Sequence, residues 1–263
     1  MPAIADYRKY NSDMKKSRWD KAFFADKIPG VCLIVDFGCA DGSLMSFVED
    51  EFYPRFHTVG YDNDPTMVEK ANKNGIKAFG DLNAVVNYIS EYRPEEIAVN
   101  FSSVLHEVFH YGAPLSPITA FIRKINPAYI IVRDMMYEKW ASGNSSFPTE
   151  KDVIAVKSKL PSWQVKDFED IYEPITEQKN FMHLLLKYRY TDNWERECKE
   201  NYFSFGKKDI VSLFTTDMHT DVLWAAQYIP PWIVKRAEDD FGIKIRPSCS
   251  THSSYIFRRD VHV

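Results

Sequence analysis

The sequence predicts an α/β protein with a doubly wound, mostly parallel seven-stranded sheet, a C-terminal antiparallel hairpin and a mainly helical insertion after strand 5. Two observations favour this class. Short apolar runs alternate with segments of helical periodicity over residues 31–136, as in repeated βαβ units. The alternation stops at residue 137, where a polar and aromatic segment of mostly helical pattern begins and continues to residue 210.

Each element of residues 31–136 has a local signal. The run "VCLIVDFG" is apolar and ends in turn residues, which is typical of a strand buried on both faces of a parallel sheet. Pro65 and Gly75 mark the start and the end of the helix after the second strand. The predicted strands are 31–38, 56–64, 76–82, 95–103 and 128–136, and the predicted helices are 43–52, 65–75, 83–92 and 114–126.

The segments on either side of this core are predicted to be helical. Residues 1–30 form an N-terminal helical segment, for which Ser12 or Asp13 is a candidate cap. Residues 137–210 form the insertion, or cap. Acidic and basic residues nearly balance there, which favours a solvated helix with internal ion pairs for its stretch "HLLLKYRYTDNWERE". Two alternatives stay open: a Leu face that packs on the sheet, and interleaved cations and aromatic rings that stack bases and hold phosphates.

Residues 211–263 are predicted to complete the sheet. The pattern favours a helix at 230–242, followed by two strands at 243–249 and 253–259. A short polar loop joins these two strands, so they are predicted to pair as an antiparallel hairpin.

Composition limits the functional classes. The chain has 263 residues, 27% of them charged, with a formal net charge of −4. The molecule as a whole therefore has no positive field that attracts nucleic acid. A local positively charged groove is still compatible with this charge balance. No apolar run approaches the roughly 18 residues of a membrane span. The four cysteines show no CxxC spacing and no signal peptide is recognised, which predicts reduced thiols in a cytoplasmic protein.

The turn after the first strand, "VDFGCADGS", has the features of a cofactor site. Gly38 and Gly42, with the small Ala40 between them, allow the backbone to approach a ligand closely. Asp36 ends the first strand, and its carboxylate suits a cation or an amine. Asp62 closes the second strand, where an acidic side chain accepts hydrogen bonds from a ribose diol.

The residues of this turn distinguish two cofactor types. A dinucleotide site has the pattern G-x-G-x-x-G, which leaves the helix N-terminus free for a pyrophosphate. Here Ser43 takes the sixth position and Asp41 places a negative charge beside it. The turn therefore favours a cofactor without phosphate that carries an amine and a sulfonium.

These motifs resemble those of class I S-adenosylmethionine-dependent methyltransferases. "VDFGCADGSL" resembles the first motif, D/E-x-G-x-G-x-G, with Ala40 at the middle glycine. "VGYDNDPTMVEKA" resembles the second motif, with Asp62 in the ribose position, and "FGDL" resembles the third, which implies that Asp81 lies near the adenine amino group. The resemblance covers roughly residues 30–136 and the C-terminal hairpin, but not the insertion.

The resemblance implies S-adenosylmethionine as the cofactor and methyl transfer as the activity. The residues implied in cofactor binding are Asp36, Gly38, Ala40, Gly42, Asp62, Asn63, Asp81, Leu82 and Ser102.

The stretch "HEVFH" also matches the HExxH pattern of zinc peptidases. His106 and His110 on one helical face would hold the metal, with Glu107 as general base. The extended form of that pattern needs Gly and His further on, where this chain has Ala113 and Ser116. We therefore reject the peptidase interpretation and predict no metal site.

In the methyltransferase interpretation, the same stretch follows the fourth strand at the open cleft. His106 and Glu107 are the candidate catalytic residues, and His106 either takes a proton from the acceptor or only packs against the cofactor. Arg133 and Asp134 end the fifth strand, where they either hold an acceptor or pair with each other. The candidate acceptor-binding residues are Ser103, His110, Tyr111, Arg133 and Asp134.

The sequence leaves the acceptor open among a small molecule, a nucleotide-like molecule and a nucleic acid. "NFSS" stands where a DNA amino-methyltransferase has an NPPY-type tetrapeptide, and no Pro-Cys dipeptide offers a nucleophilic thiolate. Two other functions remain: a non-catalytic S-adenosylmethionine-binding module and, less favoured, a NAD(P)-dependent oxidoreductase. The sequence also leaves the oligomeric state open.

Overall fold

The computed structural model describes residues 17–140, 147–245 and 248–259. Ser12 and Asp13, the predicted caps, lie outside these residues. The strands are β1 Leu33–Phe37, β2 His57–Tyr61, β3 Ala78–Phe79, β4 Ile97–Ser102, β5 Tyr129–Lys139, β6 Thr220–Tyr228 and β7 Cys249–Arg259. The helices are α1 Arg18–Lys21, α2 Ser43–Glu51, α3 Pro65–Lys73, α4 Leu82–Tyr88, α5 Leu105–His110, α6 Ser116–Ile125, α7 Glu150–Lys159, α8 Ser162–Tyr172, α9 Gln178–Lys187, α10 Trp194–Lys199, α11 Lys207–Met218 and α12 Pro231–Phe241.

The seven strands form one sheet in the order β3-β2-β1-β4-β5-β7-β6. Strands β1 to β5 pair in parallel, whereas β7 is antiparallel to both of its neighbours, β5 and β6. All five residues of β1 are buried, because packed side chains cover both faces of the sheet there. This architecture confirms the predicted fold class.

The position of the sixth strand corrects the sequence prediction. The antiparallel C-terminal pair is present, but its first member is Thr220–Tyr228 rather than 243–249, and helix α12 separates the two strands. Strand β6 lies at the sheet edge with mostly exposed or half-buried side chains, so it lacks a strong apolar pattern. Ile243 and Ile245 instead pack into the core of the cap without forming a strand.

The insertion forms a helical cap with its own hydrophobic core. Phe168, Phe181 and Leu185 belong to this core, together with Ile233 of α12. Helix α9 is buried from Phe181 to its last residue, so the predicted solvated helix is wrong for this part of the stretch. Its apolar residues fill the cap, and the cap therefore packs as a unit over the sheet rather than as separate polar helices.

None of the helices in the described ranges has the length and apolar character of a membrane span.

Candidate functional site

Backbone hydrogen bonds hold the turn after β1 against the end of β2. The amides of Gly38 and Cys39 both donate to the carbonyl oxygen of Tyr61, at 2.8 and 3.0 Å. The amide of Ala40 donates to Asp62 Oδ2 at 2.9 Å. Asp62 therefore shapes the glycine turn, although 22 residues separate it from Ala40 in the chain.

The glycines of this turn are required by packing as well as by backbone conformation. Gly38 and Gly42 have φ values of +77° and +75°, in the left-handed region that favours glycine. A Cβ atom on Gly38 would lie 2.6 Å from Val104 Cγ2, and one on Gly42 would lie 2.9 Å from Ile76 Cβ. The turn and the segment after β4 are therefore in close contact at Gly38.

A buried polar group lies between β1 and β4, directly behind the turn. Asn100 Nδ2 donates to Asp36 Oδ1 at 2.7 Å, and burial raises the pKa of Asp36 to about 7. Burial likewise lowers the pKa of the neighbouring Lys21 to about 7. Asn100 Oδ1 and Ser102 Oγ are buried without a hydrogen-bond partner among the described residues. Such orphaned atoms at strand ends are places where a ligand would supply the missing partner.

The acidic residues after β2 and β3 also have structural roles. Asp62 is half-buried, and its Oδ1 accepts from the amide of Asp64 at 2.9 Å. Asn63 next to it is exposed. Asp81 is exposed, and its side chain caps α4 by accepting from the amide of Asn83. Asp81 and the following Leu82 line a second cavity of about 330 Å³, together with Tyr61 and residues of α6.

At the ends of β4 and β5, His106 lies between two carboxylates. Its Nδ1 is 2.7 Å from Asp134 Oδ1, and its Nε2 is 2.9 Å from Glu200 Oε1. The other oxygen of Asp134 accepts from the amides of Val104, Leu105 and His106, at 3.1, 2.8 and 3.2 Å. Asp134 thus fixes both the start of α5 and the orientation of the imidazole.

The charges of this group are set by mutual attraction. Burial alone lowers the pKa of His106, but the attraction of Asp134 and the hydrogen bonds to Asp134 and Glu200 raise it to about 10. Burial raises the pKa of Asp134 and of Glu200, but nearby cations outweigh this effect. The His106 cation lowers the pKa of Asp134 below its usual range. His106, Arg196 and Lys187 together lower the pKa of Glu200 below its usual range. His106 is therefore an imidazolium at neutral pH.

Glu107 extends this group toward solvent. Its Oε1 lies 3.3 Å from Arg196 Nη2, and the same nitrogen lies 3.2 Å from Glu200 Oε2. Burial and the charge of Glu200 raise the pKa of Glu107 to about 7. His106, Glu107 and Glu200 each place one atom of a metal-ligand type within 4.8 Å of the other two. Arg196 and the His106 imidazolium are the cations that neutralise the two glutamates.

These side chains line a cavity of about 290 Å³ between the sheet and the cap. Its lining from β4, β5 and the start of α5 includes Ser103, His106, Glu107 and Arg133. Ser103 has a φ of +58°, a conformation that costs energy in a non-glycine residue. The remainder of the lining is made mainly by the cap and by α12.

The structure places the other acceptor candidates differently. Arg133 donates to Asp20 Oδ2 and to Ser103 Oγ, each at 3.0 Å, so it pairs with these residues rather than with Asp134. His110 and Tyr111 contact each other, with ring centroids 4.6 Å apart, and they are not among the described residues that line the cavity.

Most of the cavity lining was not predicted from the sequence, including Glu197, Glu200, Trp232 and Arg236. The first two lie in the insertion and the last two on α12. No local pattern distinguishes them from other charged or aromatic residues of a helix, since only the folding of the cap over the sheet brings them to the site.

Comparison with known proteins adds to the assignment of the fold. No family model and no curated protein matches the chain. The structure is similar to that of the MccD protein, with 8% identity, a TM-score of 0.50 and coverage of 94% of this chain and 98% of that chain. It also resembles a methyltransferase from Archaeoglobus fulgidus (10% identity, TM-score 0.48, coverage 97% and 100%). A third similar structure is the plantazolicin methyltransferase BamL (10% identity, TM-score 0.49, coverage 96% and 88%).

At such low identity these similarities concern the fold alone. The order of the strands, with β7 antiparallel between β5 and β6, is the class I methyltransferase fold that the sequence motifs predict.

Proposed function

We propose that the protein is an S-adenosylmethionine-dependent methyltransferase whose acceptor binds in the cavity between the sheet and the cap. One observation carries this proposal: the carboxylate of Asp62 at the end of β2 holds the glycine turn after β1 at the amide of Ala40, 2.9 Å away. Each carboxylate oxygen accepts more than one hydrogen bond, so Asp62 retains capacity for a ribose diol.

The proposed cofactor contacts follow the carboxyl ends of the first four strands. The buried, unpartnered Ser102 Oγ supports a polar ligand at the end of β4, and the half-buried Asp62 supports a ribose at the end of β2. The bound cofactor would supply an electrophilic methyl group on a sulfonium. The proposed binding residues are Asp36, Gly38, Ala40, Gly42, Asp62, Asn63, Asp81, Leu82 and Ser102.

Within the cavity, we propose that Glu107 accepts the proton that an oxygen or nitrogen nucleophile loses on methylation. A pKa of about 7 suits a general base at neutral pH. His106, as an imidazolium between Asp134 and Glu200, has no free lone pair, so its proposed role is to position α5 and thereby Glu107. Ser103 and Arg133, which line the cavity, are proposed to contact the acceptor.

Calorimetric titration with S-adenosylmethionine and its demethylated product tests the cofactor. We expect micromolar binding by the wild type. Asp62→Ala should bind at least tenfold more weakly, because a ribose contact and the hydrogen bond to the amide of Ala40 are lost. The control Asp50→Ala changes an exposed residue of α2 and should leave binding unchanged. Wild-type protein that binds NAD(P)H but not S-adenosylmethionine would instead support the oxidoreductase alternative.

The proposed base is tested by the pH dependence of methyl transfer, once a labelled methyl donor has identified an acceptor. We expect kcat/KM to rise with pH and level off above about 7, as Glu107 loses its proton. Glu107→Gln should lower kcat by about 100-fold and remove this limb. Cofactor binding without transfer to any acceptor would favour the non-catalytic module.

The acceptor remains a small molecule, a nucleotide-like molecule or a nucleic acid in this proposal. We also propose a cytoplasmic location, which the four free thiols support.

A further inference from the structure

Helix α12 presents an arginine and a tryptophan to the cavity. Trp232 and Arg236 are four residues apart, so they lie on one face of the helix. The guanidinium carbon of Arg236 is 4.7 Å from the centroid of the Trp232 ring, and the arginine is only 6% exposed. Stacking on the indole fixes the guanidinium plane, which reduces the conformational entropy that Arg236 loses when a ligand binds.

Both side chains have a buried N–H group without a partner. Arg236 Nη1 and Trp232 Nε1 are inaccessible to solvent and make no hydrogen bond to any described residue. A buried donor without an acceptor destabilises the folded state, and folded proteins avoid it almost everywhere. Two such donors on one helix face, both at the wall of the same cavity, indicate a missing acceptor group.

The other arginines of the cavity already have carboxylate partners. Arg133 donates to Asp20, Arg189 donates to both oxygens of Asp240 at 2.8 and 2.9 Å, and Arg196 pairs with glutamates. Arg236 differs from them because its Nη1 has no acceptor among the described residues, although its charge helps to lower the pKa of the nearby Asp240.

The charge balance of the cavity is compatible with an anion. Six cationic side chains face four carboxylates in the lining, and Asp20 and Asp240 outside the lining pair with Arg133 and Arg189, so the cavity has no excess of negative charge. The cationic residues are Lys21, Arg133, Arg189, Arg196, Lys235 and Arg236, and the carboxylates are Glu107, Glu197, Glu200 and Asp239.

We infer that the methyl acceptor carries an anionic oxygen group, a carboxylate or a phosphate, and that Arg236 and Trp232 bind it. This inference rests on the proposed methyltransferase function and deepens it. Because both N–H groups are covered in the empty cavity, a small rotation of the two side chains would bring Arg236 Nη1 and Trp232 Nε1 to the anionic oxygens. Because Glu107 lies elsewhere on the same cavity wall, anchoring the anion would fix the orientation of the nucleophile toward the base.

The test uses the indole N–H signals of the protein in ¹⁵N NMR spectra, without any cofactor. The chain has six tryptophans, and Trp232→Phe assigns the signal of interest by its disappearance. Wild-type protein is titrated with sodium phosphate, with sodium acetate and, as a control for ionic strength, with sodium chloride. We expect phosphate or acetate to shift the Trp232 signal saturably, and chloride at equal ionic strength to leave it in place.

Three variants decide whether Arg236 holds the anion. Arg236→Gln should weaken anion binding by about 10- to 100-fold, since a charge-assisted hydrogen bond is lost. Arg236→Lys keeps the charge and most of the packing but loses the planar fork, so it should bind several-fold more weakly even if Arg236→Gln fails to fold. Lys159→Gln removes one exposed positive charge of the cap and should bind as the wild type does.

The outcomes separate this inference from the methyltransferase proposal. A Trp232 signal that neither anion shifts saturably, or an affinity that Arg236→Lys leaves unchanged, would overturn the inference, whatever the calorimetry with S-adenosylmethionine shows. Saturable binding by a protein that fails to bind S-adenosylmethionine would retain the anion site and reject the methyltransferase. The tighter of the two anions identifies the source: phosphate indicates a nucleotide-like acceptor, and acetate indicates a carboxylic acid.

Discussion

Replacement of His106 by Gln is expected to destabilise the protein strongly at neutral pH and much less at alkaline pH. The imidazolium is 3% exposed and lies between Asp134 and Glu200, which are themselves buried. Gln keeps a similar size and hydrogen-bonding capacity but removes the positive charge. Both carboxylates then remain buried without their central cation, although Asp134 keeps its backbone amide donors.

Two arguments give the size of this effect. Removing one member of a buried ion pair typically costs about 3–5 kcal/mol. The rise in the pKa of His106 from 6.5 to about 10 corresponds, at 1.36 kcal/mol per unit, to about 5 kcal/mol as an upper bound. Because the folded-state pKa is raised, this stabilisation is complete below pH 6.5 and is lost by about 1.4 kcal/mol per pH unit as the pH rises toward 10.

Urea unfolding of wild type and His106→Gln at several pH values measures this difference. The gap in the free energy of unfolding should be about 3–5 kcal/mol at pH 6.5 and about 1 kcal/mol at pH 9.5. The exposed His57, changed to Gln, is the control and should show a gap near zero throughout. A gap for His106→Gln that stays constant, or grows with pH, would refute the buried imidazolium.

Two further predictions concern backbone strain and close packing. Glu173 is exposed and has φ +70° and ψ 178°, a region that is essentially restricted to glycine. Glu173→Gly should therefore raise the free energy of unfolding by about 1–3 kcal/mol, whereas Glu173→Ala keeps the strain and should not. Equal effects of the two variants in thermal unfolding would contradict this. Gly38→Ala should destabilise by at least about 2 kcal/mol and weaken cofactor binding, because its methyl group meets Val104 at 2.6 Å. Adding Val104→Ala should recover part of the lost stability in urea unfolding, and strictly additive effects would argue against this contact.

The local pattern of the chain predicted the central part of the sheet well. The strands from Leu33 to Lys139 and four of the helices between them fall close to their expected positions, because buried parallel strands are continuous apolar runs and helix ends carry local signals such as Pro65. The short helix Leu105–His110 was not predicted. The edge strand Thr220–Tyr228 was missed for the opposite reason. Its environment is half-exposed, and the apolar pattern at Ile243 and Ile245 serves the cap core instead.

The glycine turn after β1 and the cavity under the cap differ in the same way. The sequence by itself determined the glycine turn and the carboxylate of Asp62, because each lies at the end of a strand whose position follows from local periodicity. Only the tertiary structure decided that His106 meets Glu200, 94 residues further on, and that Arg236 reaches the same cavity. These contacts depend on how the cap packs over the sheet. That packing sets the burial and the distances of the side chains. Burial and distance, rather than residue type, make His106 a cation and leave Arg236 Nη1 without a hydrogen-bond acceptor.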